Sequence, residues 1–269
     1  RVLPSWEAGP QSLALCRRIE AMPNGGVFAL FIPKAPYRCP PGPYERACVV
    51  ASYLKAAKPR SKVLVLDANP EITSKKGLFE KAFKDLYAGI LEYRANAELK
   101  ELSGNVAKLD FEDVKADVLN VIPPQRAGDL ARSAGLLNMN SRWVGVNWLT
   151  MESTAAPGIH VLGDATFSAP AMPKSGHMAN QHAKVAAAAI IQLLKSEPVN
   201  ATPVVMNTCY SFVSGREAMH VASVHQYDAA DKTFKAVPGS GGVSAASNQI
   251  EARYALSWAE NIWADSLAL

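Results

Sequence analysis

Two patterns of apolar residues alternate along this chain. Unbroken runs at residues 27–32 (Val27-Phe28-Ala29-Leu30-Phe31-Ile32), 62–67 and 116–122 suit strands buried on both faces. Between them, apolar residues recur every three or four positions. Leu13, Leu15, Ile19 and Met22 predict a helix over 12–22, which Asn24-Gly25-Gly26 ends. Proline in a first turn predicts a helix over 43–57, and Phe79, Phe83 and Leu86 one over 75–87. The strand–helix–strand spacing has the size of a parallel crossover unit. Residues 98–112 read as short antiparallel strands around Ser103-Gly104-Asn105, and 127–134 as a short helix. Residues 159–162 read as a strand running into Gly163-Asp164, followed by a long helix over 175–195. Strands are then predicted at 204–213, 218–228 and 232–237, the last two as a hairpin, and a final helix at 248–264.

These elements group into three blocks. Residues 1–118 form a dinucleotide-type domain with an antiparallel insert, 119–199 carry the Gly-Asp segment, and 200–269 form a smaller α+β unit. The fold class is α/β with an α+β C-terminal domain.

Composition narrows the function. Across 269 residues, 49% are hydrophobic and 19% charged, with a formal charge of +4, ordinary for a globular protein. No long basic block marks a nucleic-acid surface, and no apolar run reaches the ~18 residues of a membrane span. The four cysteines form no CxxC pair, and His177 and His182 lack the i, i+4 spacing for a shared metal, so no metal site is expected.

The candidate chemistry lies at Val161-Leu162-Gly163-Asp164-Ala165 and at Met172-Pro173-Lys174-Ser175-Gly176-His177. In flavoproteins with two dinucleotide-type domains, an Asp at such a strand end bonds FAD, and the next helix aims its positive end at the ring. Gly163, Asp164, Lys174, Ser175 and Gly176 are the cofactor-binding candidates. Asp164 as a turn residue and Lys174 as a solvated charge are the simpler readings. Gln125 and Arg126 reach phosphate or ring, or open a helix. A strand–GxGxxG–helix unit is absent from these residues, so the chain reads as the C-terminal portion of a flavoprotein. The first block sits where a nicotinamide domain would, but its first strand runs into Pro33, Pro36, Pro40 and Pro41, which cannot cradle phosphate with N–H groups.

Four segments carry a specific resemblance. They are Pro36-Tyr37-Arg38-Cys39-Pro40-Pro41-Gly42-Pro43-Tyr44-Glu45-Arg46-Ala47, Ile122-Pro123-Pro124-Gln125-Arg126-Ala127-Gly128, Met172-Pro173-Lys174-Ser175-Gly176 and Asn207-Thr208-Cys209-Tyr210-Ser211. In order and across essentially the whole chain, they resemble the flavoprotein subunit of flavocytochrome c sulfide dehydrogenase. The resemblance implies a glutathione-reductase-like fold with two dinucleotide-type domains, here incomplete at the N-terminus. It implies FAD as cofactor, sulfide as substrate, a periplasmic location, and electron transfer to a c-type cytochrome subunit that carries the heme. It implies Cys39 and Cys209 as a redox-active disulfide. Glu45 then exchanges protons, or is simply a first-turn carboxylate. Trp258 then flanks the flavin, or packs in the core. Cys16 and Cys48 read as buried thiols. A sulfide:quinone reductase and a flavin-free, cytochrome-docking scaffold are the alternatives. Without the N-terminal FAD segment, this chain is expected to hold FAD loosely and to expose apolar faces of 118–122 and 159–162.

Overall fold

The computed structural model describes residues 3–110 and 112–267. Helix α1 (Pro10–Ala21) precedes β1 (Val27–Ile32), α2 (Gly42–Ala57), β2 (Lys62–Asp67), α3 (Lys76–Tyr87) and β3 (Leu91–Arg94). A three-stranded antiparallel insert follows, β4 (Glu101–Ser103), β5 (Val106–Lys108) and β6 (Asp113–Lys115), and then β7 (Val118–Val121). The parallel sheet has the order β3-β2-β1-β7. Because β7 pairs with β1, this sheet runs to residue 121, past the block boundary expected at 118.

Side chains alternate across the sheet, which explains the unbroken apolar runs. Phe28, Leu30 and Ile32 pack with Val63 and Val65 beneath Tyr44, Ala47, Cys48, Ala51 and Leu54 of α2. Ala29, Phe31, Leu64 and Leu66 face the other way, against Ala107 and Val114 of the insert. Asp67, at the end of β2, is fully buried and accepts from Tyr44 (2.7 Å), Tyr93 (3.0 Å) and both nitrogens of Asn69, which offset its burial.

Beyond β7 come α4 (Asp129–Ser133), β8 (Val146–Asn147), β9 (Glu152–Ser153) and a 3₁₀ turn, Gly163–Ala165. Helix α5 (Gly176–Leu194) leads to the antiparallel β10 (Val204–Phe212), β11 (Ala218–Asp228), β12 (Thr233–Ala236) and β13 (Gly242–Val243), and to α6 (Gln249–Leu267). Trp148, Met151, Met178, Val205 and Phe234 form the core between α5 and this sheet.

Three expectations are corrected. Residues 159–162 are not a strand: among the described residues their ladder is a single isolated bridge, Glu152–His160, flanked by Ser153 N donating to Ile159 O (2.7 Å) and Val161 N to Met151 O (2.8 Å). Cys16 is exposed, because α1 turns Leu15 and Ile19 inward and carries its neighbour outward, whereas Cys48 is buried. Of the two apolar faces expected to be exposed, residues 118–122 are covered, with Val118 4% and Ile122 2% exposed. Ile159 (41%) and Leu162 (37%) do face solvent.

Candidate functional site

The loop after β1 is shaped to present a sulfur. Tyr37 is buried, and its hydroxyl meets Thr73 Oγ1 at 2.8 Å, which pins the loop to the entrance of α3. Cys39 has φ +53°, a left-handed conformation that costs a non-glycine residue about 1–2 kcal/mol. The turn is held by Cys39 N donating to Lys174 O (2.7 Å) and Gly42 N donating to Cys39 O (2.8 Å). A Cβ on Gly42 would stand 2.9 Å from Cys39 Sγ and 3.0 Å from the Trp6 ring, so glycine here makes room for the thiol.

Cys209 reaches the same place from β10. On this strand Val205, Asn207 and Ser211 are buried on one face, and the period of two puts Cys209 on it. Asn207 Nδ2 donates to Cys209 Sγ at 3.3 Å. Glu45, in the first turn of α2, accepts from Phe212 N at 2.7 Å. Lys75, buried at the start of α3, donates to Cys209 O and to Ser211 Oγ, both at 2.8 Å.

These four groups act on one another. Cys39 is exposed as a residue, which governs reagent access. Its thiol is nevertheless crowded enough for desolvation to push it up to about 12, with Glu45 and Cys209 adding to the rise and Lys75 opposing it. Burial also raises Glu45, against the Phe212 amide, Lys75 and Arg46. Burial lowers Lys75 to about 8, against Cys209, Glu45 and Cys39. Cys39 and Cys209 are both free thiols in this structure, so the pair that the resemblance implies stands in its dithiol form.

The second half of the site is the turn before α5. Gly163 has φ +64°, and a Cβ there would lie 2.7 Å from Ala179 Cβ, so only glycine lets the turn rest on α5. Asp164 follows, and its Oδ1 is buried without a hydrogen-bond partner among the described residues. Burial raises its carboxyl, against Lys174 and Arg38. Lys174 lies 3.8 Å from the centre of the Trp143 ring and donates to Asp164 O (3.0 Å) and Thr166 O. Burial lowers it to about 8.

Three cavities meet here. One of about 370 Å³ is lined by Asp164, Lys174, Arg38, Gln125, Arg126 and Trp143. A wider one of about 860 Å³ opens on Cys39, Glu45, Arg46 and Trp6, and a third of about 480 Å³ on Cys209, Asn207, Tyr37 and Lys174. An orphaned carboxylate oxygen in a cavity with three cationic side chains fits a polar, anionic cofactor such as the ribityl–pyrophosphate part of FAD.

Gly176 and Trp258 do not line the Asp164 cavity, whereas Ser175 lines a small cleft with Gly163, Asp164 and Lys174. Ser175 caps α5, accepting from Met178 N at 3.0 Å and bonding Asn207, and Gly176 opens the helix. Trp258 packs edge-on to His177 (5.8 Å) and tilted against Tyr210 (6.1 Å), because α6 lies over the start of α5 and over β10. Gln125 and Arg126 both line the cavity, and Arg126 also holds Asp129 of α4 at 2.8 Å. Lys75, Arg38, Trp6 and Trp143 are site residues that sequence reasoning missed. Only the neighbouring Cys39 hinted at Arg38, and nothing in the local pattern marked the others.

Residues 12–123 match the family described as the central part of the flavoprotein chain of sulfide dehydrogenase (flavocytochrome c). Residues 201–267 match its flavin-binding part. The chain belongs to this family. Its cofactor is FAD, and the fold is that of FAD-dependent disulfide oxidoreductases. One similar structure is an FAD-dependent pyridine nucleotide-disulphide oxidoreductase from Desulfovibrio vulgaris, at 17% identity and TM-score 0.52, covering 82% of this chain and 54% of that one. Another is a chain in the Tetrahymena thermophila mitochondrial ATP synthase, at 17% identity and TM-score 0.61, covering 83% and 55%. The water-forming NADH oxidase of Lactobacillus brevis matches at 9% identity and TM-score 0.50, covering 98% and 62%. The chain thus spans a little over half of these neighbours, and the likeness is one of fold.

Proposed function

We propose that this chain is the greater part of a flavin subunit that oxidises sulfide through the Cys39–Cys209 pair and FAD and passes electrons to a c-type cytochrome in the periplasm. The observation that carries the reading is the 2.7 Å bond from Cys39 N to Lys174 O, which fastens the cysteine loop directly to the Asp164 cavity.

Asp164, Lys174, Gln125 and Arg126 would hold the cofactor. FAD, when bound, takes two electrons as a pair and releases them singly. Arg38 and Arg46 line the wider cavity and favour an anionic substrate such as hydrosulfide at Cys39. In the disulfide form of the pair, a cysteine sulfur is an electrophile for hydrosulfide, and attack leaves one persulfide and one thiolate. Glu45, raised by burial, holds or takes a proton beside that sulfur.

The test uses the full-length, flavin-loaded protein. Sulfide is expected to reduce a c-type cytochrome and not a quinone, and Cys39→Ser and Cys209→Ser are each expected to lower turnover more than a hundredfold at unchanged flavin content. Undiminished turnover in either variant, or preferential quinone reduction, overturns the reading.

A further inference from the structure

Lys75 is the one element of the cysteine cluster that the family reading leaves without a task. Only 6% of it is exposed, and its Nζ lies among protein groups. Its partners are neutral: the Cys209 carbonyl and the Ser211 hydroxyl, both at 2.8 Å. Among the described residues no carboxylate lies within ion-pair distance of it. A buried ammonium without a counter-ion is costly to hold. The backbone adds a second cost, since Lys75 sits at φ +54°. Two unfavourable features at one residue would not serve to start a helix, which a polar cap does without strain. They do hold an amine behind the strand that carries Cys209, tied to the Cys209 carbonyl and the Ser211 hydroxyl.

The two sulfurs differ in their surroundings. Cys39 is exposed and fronts the wider cavity, and Glu45 opposes negative charge on it. Cys209 has an amide donor from Asn207 at 3.3 Å, and it is the strongest of the negative-going groups that act on Lys75. The thiol that departs best in disulfide exchange is the one whose thiolate is better stabilised.

We propose that Lys75 is a positioning residue that makes Cys209 the leaving sulfur, by serving as the buried counter-charge to its thiolate. The inference rests on the cysteine-pair reading above. Hydrosulfide adds to Cys39 Sγ, the Cys39–Cys209 S–S bond breaks, and its electron pair leaves on Cys209 Sγ. Written out, HS⁻ + Cys39–S–S–Cys209 gives Cys39–S–SH + Cys209–S⁻, with one negative charge on each side. The disulfide is the oxidant of this step: its S–S bond takes the electron pair as the Cys209 thiolate.

The test reads the thiols directly, without sulfide. In the reduced, intact, flavin-loaded protein, the rate of iodoacetamide alkylation is followed site by site by mass spectrometry. In Lys75→Met, alkylation of Cys209 at pH 7.5 is expected to fall about tenfold, and in Lys75→Arg to stay within twofold of wild type. Exposed Cys16 is the internal standard and stays constant in both. Should Lys75→Met not fold, Lys75→Gln replaces it, keeping a donor to the Cys209 carbonyl without the charge. Equal Cys209 rates in the neutral and the Arg variants would overturn the proposal and leave Lys75 a purely structural tie. This readout needs no sulfide turnover, so its failure is distinguishable from failure of the cysteine-pair reading.

Discussion

Asp164 shows what one residue can say about the ligand a site is built for. Its Oδ1 is buried and unpaired, a condition that costs about 1–3 kcal/mol when nothing fills it. Removing such a group should help the fold and harm the ligand. Asp164→Ala is therefore expected to leave the flavin-free protein at least as stable as wild type. In the full-length protein it should weaken FAD binding at least tenfold, which corresponds to about 1.4 kcal/mol. Urea unfolding checks the first outcome and flavin-fluorescence titration the second. A variant that loses stability and keeps its FAD affinity would show that Asp164 serves the turn and not the cofactor. The residue was legible in the sequence, because Gly-Asp after an apolar run and before a long helix is a local signal. Lys75, Trp6 and Trp143 were not, because their roles depend on contacts with remote strands and loops and leave no trace in their immediate neighbours.

Among the elements, helix α5 joins the two halves of the site. Its cap, Ser175, accepts from Met178 N and bonds Asn207, and Asn207 in turn donates to Cys209 Sγ. Ser175→Ala is expected to cost about 1 kcal/mol of stability through the lost cap. It should also change the alkylation rate of Cys209, since Asn207 loses the partner that orients it. Thermal unfolding with thiol mapping checks both, and an unchanged Cys209 rate would limit Ser175 to capping. Elements were readable to the degree that their pattern was local. The parallel strands Val27–Ile32 and Lys62–Asp67 lie where their apolar runs predict, since burial on both faces demands such runs. Residues 159–162 carry the same kind of run but pair through a single bridge, Glu152–His160, among the described residues, and a ladder needs a partner that an apolar run does not specify. Trp258 shows the same limit in a helix: its spacing gives a packing face but not what lies opposite.

At the scale of the whole molecule, the units are tied together around the site. Cys39 N bonds Lys174 O, Glu45 accepts from Phe212 N, and Lys75 reaches Cys209. Beneath these ties, His182 is 2% exposed, with its Nδ1 accepting from Gly163 N at 3.1 Å and its Nε2 unpartnered among the described residues. Burial lowers it to about 4, aided by Lys174 and His225. An unfolded histidine titrates near 6.5, so between about pH 6.5 and 4 the unfolded chain binds more protons than the folded one. Stability from this group is therefore fully present above pH 6.5 and is lost as the pH falls toward 4, by about 3 kcal/mol at most. Protonation at Nδ1 would also remove the acceptor that fixes Gly163, and so would loosen the turn that presents Asp164. His182→Gln keeps an acceptor and does not titrate. It is expected to flatten the fall in unfolding free energy between pH 6.5 and 4 by about that amount, and to reduce acid-induced release of FAD from the full-length protein. Urea unfolding and flavin release at stepped pH check the two together. An identical acid slope in wild type and His182→Gln would move the acid sensitivity to other groups, His225 first, since burial lowers it as well.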